Sequence, residues 1–198
     1  MRITLADDQA DIKKLIMRAP DLVFIGVKTL PKTLNNVDDC FWVSAYLDEQ
    51  KIQYTGSGFE AMKLEFDKMK AKKSVKDARL NTADSFSAFR GQFKSASELP
   101  LSFPLFVKPP NLGDGIGVDD TSVVRSFDDY ETKIEQLKVN FNSDALVETY
   151  LDGREFTVAV FNLNDSEKLS VLPIELLPKQ NSNGDYVIGQ AMKSAVEE

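Results

Sequence analysis

Phe103-Pro-Leu-Phe-Val-Lys-Pro-Pro-Asn-Leu-Gly-Asp-Gly-Ile-Gly-Val118 decides how the rest of the chain is read. The apolar run 103–108 has strand character and delivers Lys108 to a loop over 109–117. Three glycines there, Gly113, Gly115 and Gly117, let backbone N–H groups come close to an anion. Lysine, strand and loop together suit a phosphate. The glycines alone fit an ordinary hairpin turn equally well, and no Gly-Lys-Ser/Thr opens a following helix, so this is not the Walker pattern. A second stretch, Ala145-Leu-Val-Glu-Thr-Tyr-Leu-Asp-Gly-Arg-Glu-Phe-Thr-Val-Ala-Val160, follows at the distance a nucleotide-binding lobe needs.

The surrounding composition limits the chemistry. With 198 residues, 42% hydrophobic and 28% charged, the chain can bury a sizeable core. Its 24 basic and 31 acidic residues give a net charge of −7, and no basic run offsets it, which argues against nucleic acid or an anionic membrane as partner. Histidine is absent. That excludes Ser-His-Asp and Cys-His machinery and every histidine metal site, leaving carboxylates, lysines and backbone amides. Cys40 is the only cysteine, so there is no internal disulfide; a buried, inert thiol in a reducing cytoplasm is expected. Asp7, Asp8 and Asp11 stand where a signal peptide needs an apolar core, and no apolar run reaches membrane-spanning length. A soluble, cytoplasmic protein is expected.

Along the chain, Asp11 to Arg18 has helical spacing and Leu22 to Val27 is a continuously apolar strand of the kind buried on both faces. Asp38 to Gln50 reads as a helix carrying Phe41, Trp42, Ala45 and Leu47, and Ile52 to Thr55 as the next strand, together a β-α-β unit. From Gly58 a long helix is predicted, with Ser57 and Glu60 in capping-box spacing. Its core face is Phe59, Met62, Phe66 and Met69, and its solvated face includes Lys63, Lys68, Lys70, Lys72 and Lys73. Asn81 to Phe89 has the alternation of an edge strand. Val118-Asp119 reads as a short extended piece, and Phe127 to Val139 as a helix with Ser126 as N-cap. Ala145 to Tyr150, Arg154 to Phe161 and Leu169 to Leu177 read as three successive strands in antiparallel pairing. The expected divisions are 1–57, 58–150 and 151–198.

Five separated segments then form an order of their own: Tyr54-Thr-Gly-Ser-Gly58, Phe66-Asp-Lys68, Phe106-Val-Lys-Pro109 with its glycine loop, Val147-Glu-Thr-Tyr-Leu151 and Gly153-Arg-Glu-Phe-Thr-Val-Ala-Val160. In that order and spacing they resemble the ATP-grasp enzymes, and within them the D-alanine–D-alanine ligases, over roughly residues 20–178. The resemblance implies an α/β (α+β) chain: an incomplete ATP-grasp fold preceded by a remnant Rossmann-like β-α-β unit. It implies a site in which Lys108 and Lys68 hold phosphates under Gly113, Gly115 and Gly117. Glu148 with the backbone of Thr149, Tyr150 and Leu151 would read adenine, and Glu155 would accept from ribose hydroxyls. Phe106, Val147 and Leu151 would enclose the purine. For Lys68 a solvated surface lysine is the alternative, for Glu148 an edge carboxylate, and for Glu155 an ion pair with Arg154.

The departures from the family pattern carry their own expectations. Asp114 and Gly115 stand where the family has a Ser-Ser pair that closes over the phosphates, and Gly26-Val-Lys28 stands where it has His-Gly. The family's first substrate-binding glutamate has no counterpart before Pro20. Glu198 precedes the family's Asp and Glu-x-Asn metal ligands and its arginine, so the resemblance implies a chain truncated before the metal-binding motif, with no catalytic and no metal residue of its own. ATP or ADP is the implied cofactor, with Mg²⁺ only as counter-ion of the nucleotide. The implied partners are adenine nucleotide and either a second copy or a chain supplying the missing half. The function is an ATP-dependent carboxylate–amine ligase that needs such help, or a non-catalytic nucleotide-binding or protein-interaction module.

Overall fold

The computed structural model describes residues 5–33, 36–162 and 168–189. The chain divides into two compact units, Met1–Asp67 and Lys68–Glu198.

In the first unit, helix α1 (Gln9–Ile16) starts where the Asp8 carboxylate accepts the N–H groups of Ala10 and Asp11, at 2.8 and 3.2 Å. Strands β1 (Thr29–Thr33) and β2 (Asn36–Trp42) form an antiparallel hairpin, and helix α2 (Val43–Glu49) follows without a break. The expected helix over 38–50 is therefore half strand. The physical reason is period: Phe41 and Trp42 point to opposite faces, Phe41 onto Tyr46 and Trp42 onto Phe59 and Phe66. The core of this unit is Ile12, Leu30, Val43 and Leu47. Of the expected strands 22–27 and 52–55, the parallel pairing is one bridge, Val23 with Tyr54. Val23 and Ile25 pack on the core, whereas Leu22, Phe24 and Val27 are exposed. The segment is therefore covered on one face and open on the other, instead of buried on both as expected. Cys40, expected to be buried, is exposed on β2.

The single long helix expected from Gly58 is two: α3 (Phe59–Phe66) and α4 (Lys68–Asp77). Asp67 between them has φ −92° and ψ 90°, and the Lys68 N–H leaves the helical ladder to donate to the Pro110 carbonyl at 3.1 Å. A tertiary hydrogen bond thus replaces a helical one. Ser57 does not cap; Gly58 holds the cap position without a side-chain bond.

The second unit is built on a four-stranded antiparallel sheet in the order β3 (Ser85–Ala88), β6 (Ala145–Thr149), β4 (Leu105–Lys108), β5 (Val123–Val124). The edge strand β3 lies where alternation predicts it, but Val118-Asp119 is not a strand; β5 forms after the turn at Asp119 to Ser122. Helix α5 (Phe127–Phe141) is held by a full capping box, with Ser126 and Asp129 each accepting the other's N–H at 3.1 Å. It packs Tyr130, Ile134 and Leu137 against Ala88, Leu105, Val107, Val124 and Val147 on one face of the sheet. Strands β7 (Glu155–Asn162) and β8 (Leu169–Leu176) pair antiparallel as a separate hairpin. Among the described residues β6 pairs with β3 and β4 instead of β7, so the three late strands are not one meander. The hairpin exposes Phe156, Val158, Val160, Val171, Leu172 and Ile174.

Leu137 is fully buried between α5 and the sheet. Leu137→Ala should lower the unfolding free energy by about 3 kcal/mol, the sum of lost transfer energy and cavity, in urea unfolding followed by circular dichroism. A loss too small to measure would mean that α5 is not seated on the sheet.

Candidate functional site

Strand pleating assigns alternate residues of β4 and β6 to opposite faces. Leu105, Val107, Ala145 and Val147 go to the α5 side and form the core. Phe106 and Lys108 on β4, with Leu146 and Glu148 on β6 and Tyr150 just beyond its end, go to the other. Val147, expected beside the purine, therefore belongs to the hydrophobic core and is fully buried. The opposite face meets α4, from which Lys68 and Lys72 project at i, i+4 spacing and Met69 accepts a hydrogen bond from the Ser87 hydroxyl at 3.9 Å.

Glu148 is the centre of this face and is only 8% exposed. Its strand lies between β3 and β4, so it is not an edge carboxylate. Lys72 Nζ donates to Oε1 at 2.6 Å and Lys108 Nζ pairs with Oε2, so each oxygen has its own ammonium. Lys72 is held further by the Thr82 hydroxyl at 2.9 Å. Burial pushes the Glu148 carboxyl up, but Lys108 and then Lys72 pull it down further, and it titrates below the ordinary 4.5. Lys68 is half-buried and donates to the Leu112 carbonyl of the glycine loop. A solvated surface lysine does not describe it.

Beside the ion pairs, the Phe106 and Tyr150 rings stack at 6.4 Å and 17°, and Lys108 Nζ stands 5.4 Å from the Phe106 centroid. The Tyr150 hydroxyl accepts the Tyr186 N–H at 3.2 Å. At the end of β6, Leu151 and Glu155 line a cleft of about 770 Å³ with Glu175 and Tyr186 among its other walls. Glu155 is exposed there, and Arg154 beside it makes a bidentate pair with Glu175 at 2.6 and 2.7 Å instead. The N–H groups of Thr149 and Tyr150, expected to face a base, donate to the Asp84 and Pro104 carbonyls.

The glycine loop is two consecutive turns, Ile116 N–H to Gly113 and Val118 N–H to Gly115, both 3.0 Å. Gly117 has φ +77°, and a Cβ there would lie 2.5 Å from Pro109 Cγ, so packing alone demands glycine. Gly113 has open space around it. Asp114 takes a left-handed φ of 55°.

The structure thus gathers Lys68, Lys108, Glu148 and Tyr150 around one sheet face, ties Lys68 to the loop of Gly113, Gly115 and Gly117, and puts Leu151 and Glu155 on the adjoining cleft. Lys72 and Thr82 were not legible. The i, i+4 pairing of Lys72 with Lys68 was the only signal, and on a helix that looks like a solvated face. Among the described residues no group of three or more Asp, Glu, Cys or His could hold a metal ion, and no helix is long and apolar enough to cross a membrane.

Comparison with known proteins gives this geometry a family. The family model described as "D-ala D-ala ligase C-terminus" matches residues 75–187. The D-alanine–D-alanine ligase of Natranaerobius thermophilus is 32% identical over 73% of this chain and 40% of its own length. That of Rickettsia bellii is 31% identical over 93% and 52%. The chain therefore spans about half the length, or less, of the curated relatives it matches. A crystal structure of D-alanine–D-alanine ligase from Bacillus anthracis complexed with ATP superposes with TM-score 0.52 at 22% identity, covering 83% of this chain and 58% of that one. The fold is thus the ATP-grasp fold, in part.

Because Glu148 titrates lower in the folded protein than in the unfolded chain, the unfolded state binds the extra proton. Its contribution to stability is complete above the ordinary 4.5 and is lost as pH falls through the lower folded value. As pH is lowered from about 5, the stability difference between wild type and Glu148→Gln should shrink. A gap that stays constant on that descent, in urea titrations at each pH, would show that the two lysines do not hold the carboxylate.

Proposed function

The chain belongs to the D-alanine–D-alanine ligase C-terminal family, and from that premise we propose that it binds an adenine nucleotide on the Lys108–Glu148 face of its four-stranded sheet, as part of an ATP-dependent carboxylate–amine ligase. The observation that carries this reading is the cluster itself. Lys108 and Lys72 bring two ammonium groups onto one carboxylate and Lys68 adds a third on the glycine loop, and such a surplus of positive charge in a half-buried place suits a polyphosphate. Stacked Phe106 and Tyr150 supply an aromatic surface next to it.

Lys108 and Lys68 hold the phosphate oxygens, and the loop of Gly113, Gly115 and Gly117 lies over them with Asp114 at its tip. Glu148, Tyr150 and Leu151 border the base; with the N–H groups of Thr149 and Tyr150 already bonded, the backbone of Leu151 is the one that reads its edge. Glu155 on the cleft wall accepts from the ribose hydroxyls. Bound ATP supplies the phosphoryl group that activates a carboxylate for attack by an amine. Mg²⁺ enters as counter-ion of the nucleotide. This chain's lysines bind and orient the phosphates and offset their charge, and none of its residues is assigned as catalytic.

The exposed apolar hairpin β7–β8 favours a second reading beside the first: a nucleotide-binding module that meets a second copy or a partner chain through that hairpin. Either form works in the cytoplasm, where the nucleotide is.

ADP or ATP at a hundred times its dissociation constant should stabilise the protein by about 2.7 kcal/mol, seen as a rise in melting temperature, and Lys108→Met should abolish the rise. If neither nucleotide moves the melting point and Lys108→Met matches wild type, nucleotide binding is wrong. Phosphate release from ATP with Mg²⁺ and D-alanine separates the two readings: release supports the ligase, and binding without release supports the module.

A further inference from the structure

Lys108 has two claims on it. In the structure its ammonium is paired with Glu148, yet the phosphate site proposed above needs that ammonium for itself. A carboxylate 8% exposed with a single partner would hold that partner fast, because losing it leaves a buried, unmet charge. Glu148 has a second partner. Lys72 donates to its other oxygen at 2.6 Å, is itself fixed by Thr82 Oγ1 at 2.9 Å, and its side chain is 12% exposed against 24% for that of Lys108. The two cations differ in anchorage: Lys72 is fixed by Glu148 and Thr82 together, whereas Lys108, at the end of β4, meets Glu148 and the Phe106 ring and is the more exposed.

We propose that Lys72 is a positioning residue, the resident counter-ion of Glu148, whose task is to release Lys108 for a phosphate group. When a polyphosphate arrives, Lys108 moves from Oε2 of Glu148 to a phosphate oxygen, and the carboxylate stays neutralised by Lys72. Without Lys72 the phosphate would have to take the last cation from a buried carboxylate. The inference rests on the nucleotide reading and assigns a role that this reading does not contain.

The test is a set of dissociation constants for ADP and for adenosine by titration calorimetry, in wild type, Lys72→Met, Lys72→Arg, Glu148→Gln and Lys72→Met combined with Glu148→Gln. Lys72→Met should weaken ADP about tenfold or more, the scale of one displaced buried charge partner, and leave adenosine within about twofold. Lys72→Arg should stay close to wild type. Within the Glu148→Gln background Lys72→Met should cost little further ADP affinity, because a neutral amide in place of the carboxylate no longer competes for Lys108; a merely structural lysine would cost the same in both backgrounds. Equal losses for ADP and adenosine, or an equal loss from Lys72→Met with Glu148 and with Gln at that position, would overturn the proposal while leaving the nucleotide reading intact. Absence of ADP binding by wild type would overturn both. Should Lys72→Met not fold, Thr82→Val gives the same comparison more gently. A few-fold loss of ADP affinity with Glu148 present, and none in the Glu148→Gln background, supports the role; equal effects in both backgrounds refute it.

Discussion

A carboxylate laid against the floor of a β-sheet, almost out of reach of water, must have its charge met by other groups. At Glu148 two lysines do this from two directions, one from a neighbouring strand and one from a helix. This ties together three parts of the second unit: β4 through Lys108, β6 through Glu148 and α4 through Lys72. Replacing such a cluster with apolar side chains could give an equally stable sheet. This face thus carries two cations on one carboxylate, and Lys68 is tied to the glycine loop.

The same pleat makes both the core and the site. Leu105, Val107, Ala145 and Val147 are sealed beneath α5, which fixes the strands firmly enough for the alternate residues to be held in register. Phe106 lies opposite Glu148 across the β4–β6 pair, and Lys108 opposite Leu146. Lys108 therefore reaches the carboxylate diagonally across the pair and lies near the Phe106 ring on its own strand. The glycine loop is anchored at both ends: Pro110 and Leu112 accept from the backbone and side chain of Lys68, and Gly117 packs on Pro109. Between these anchors Gly113 has open space around it.

Much of the second unit was legible because its signals are local. Ser126 and Asp129 announce the start of α5, and the strands around Lys108 and Glu148 are short apolar runs between clear turns. The glycine spacing marks the loop. In the first unit the same rules misled. Phe41 and Trp42 satisfy a helical pattern on paper, yet cross-strand pairing with β1 pulls them into a strand with opposed faces. Phe59, Met62, Phe66 and Met69 suggest one continuous helix, but a hydrogen bond from Lys68 to Pro110, far away in sequence, breaks it at Asp67.

What the sequence by itself determined is the order of the motifs, the absence of histidine chemistry, the pairing of Lys108 with a glycine loop and the family those features belong to. Only the tertiary structure decided which group each lysine meets. A lysine on a helix has the same local signature whether it faces water or a buried carboxylate, so Lys72 could not be told from its exposed neighbours Lys70 and Lys73. Likewise, adjacent residues of one strand, Val147 and Glu148, serve core and site respectively, and which face takes which role depends on where α5 packs. Partnership across long sequence separations is settled by packing and charge together, and neither is written in any one segment.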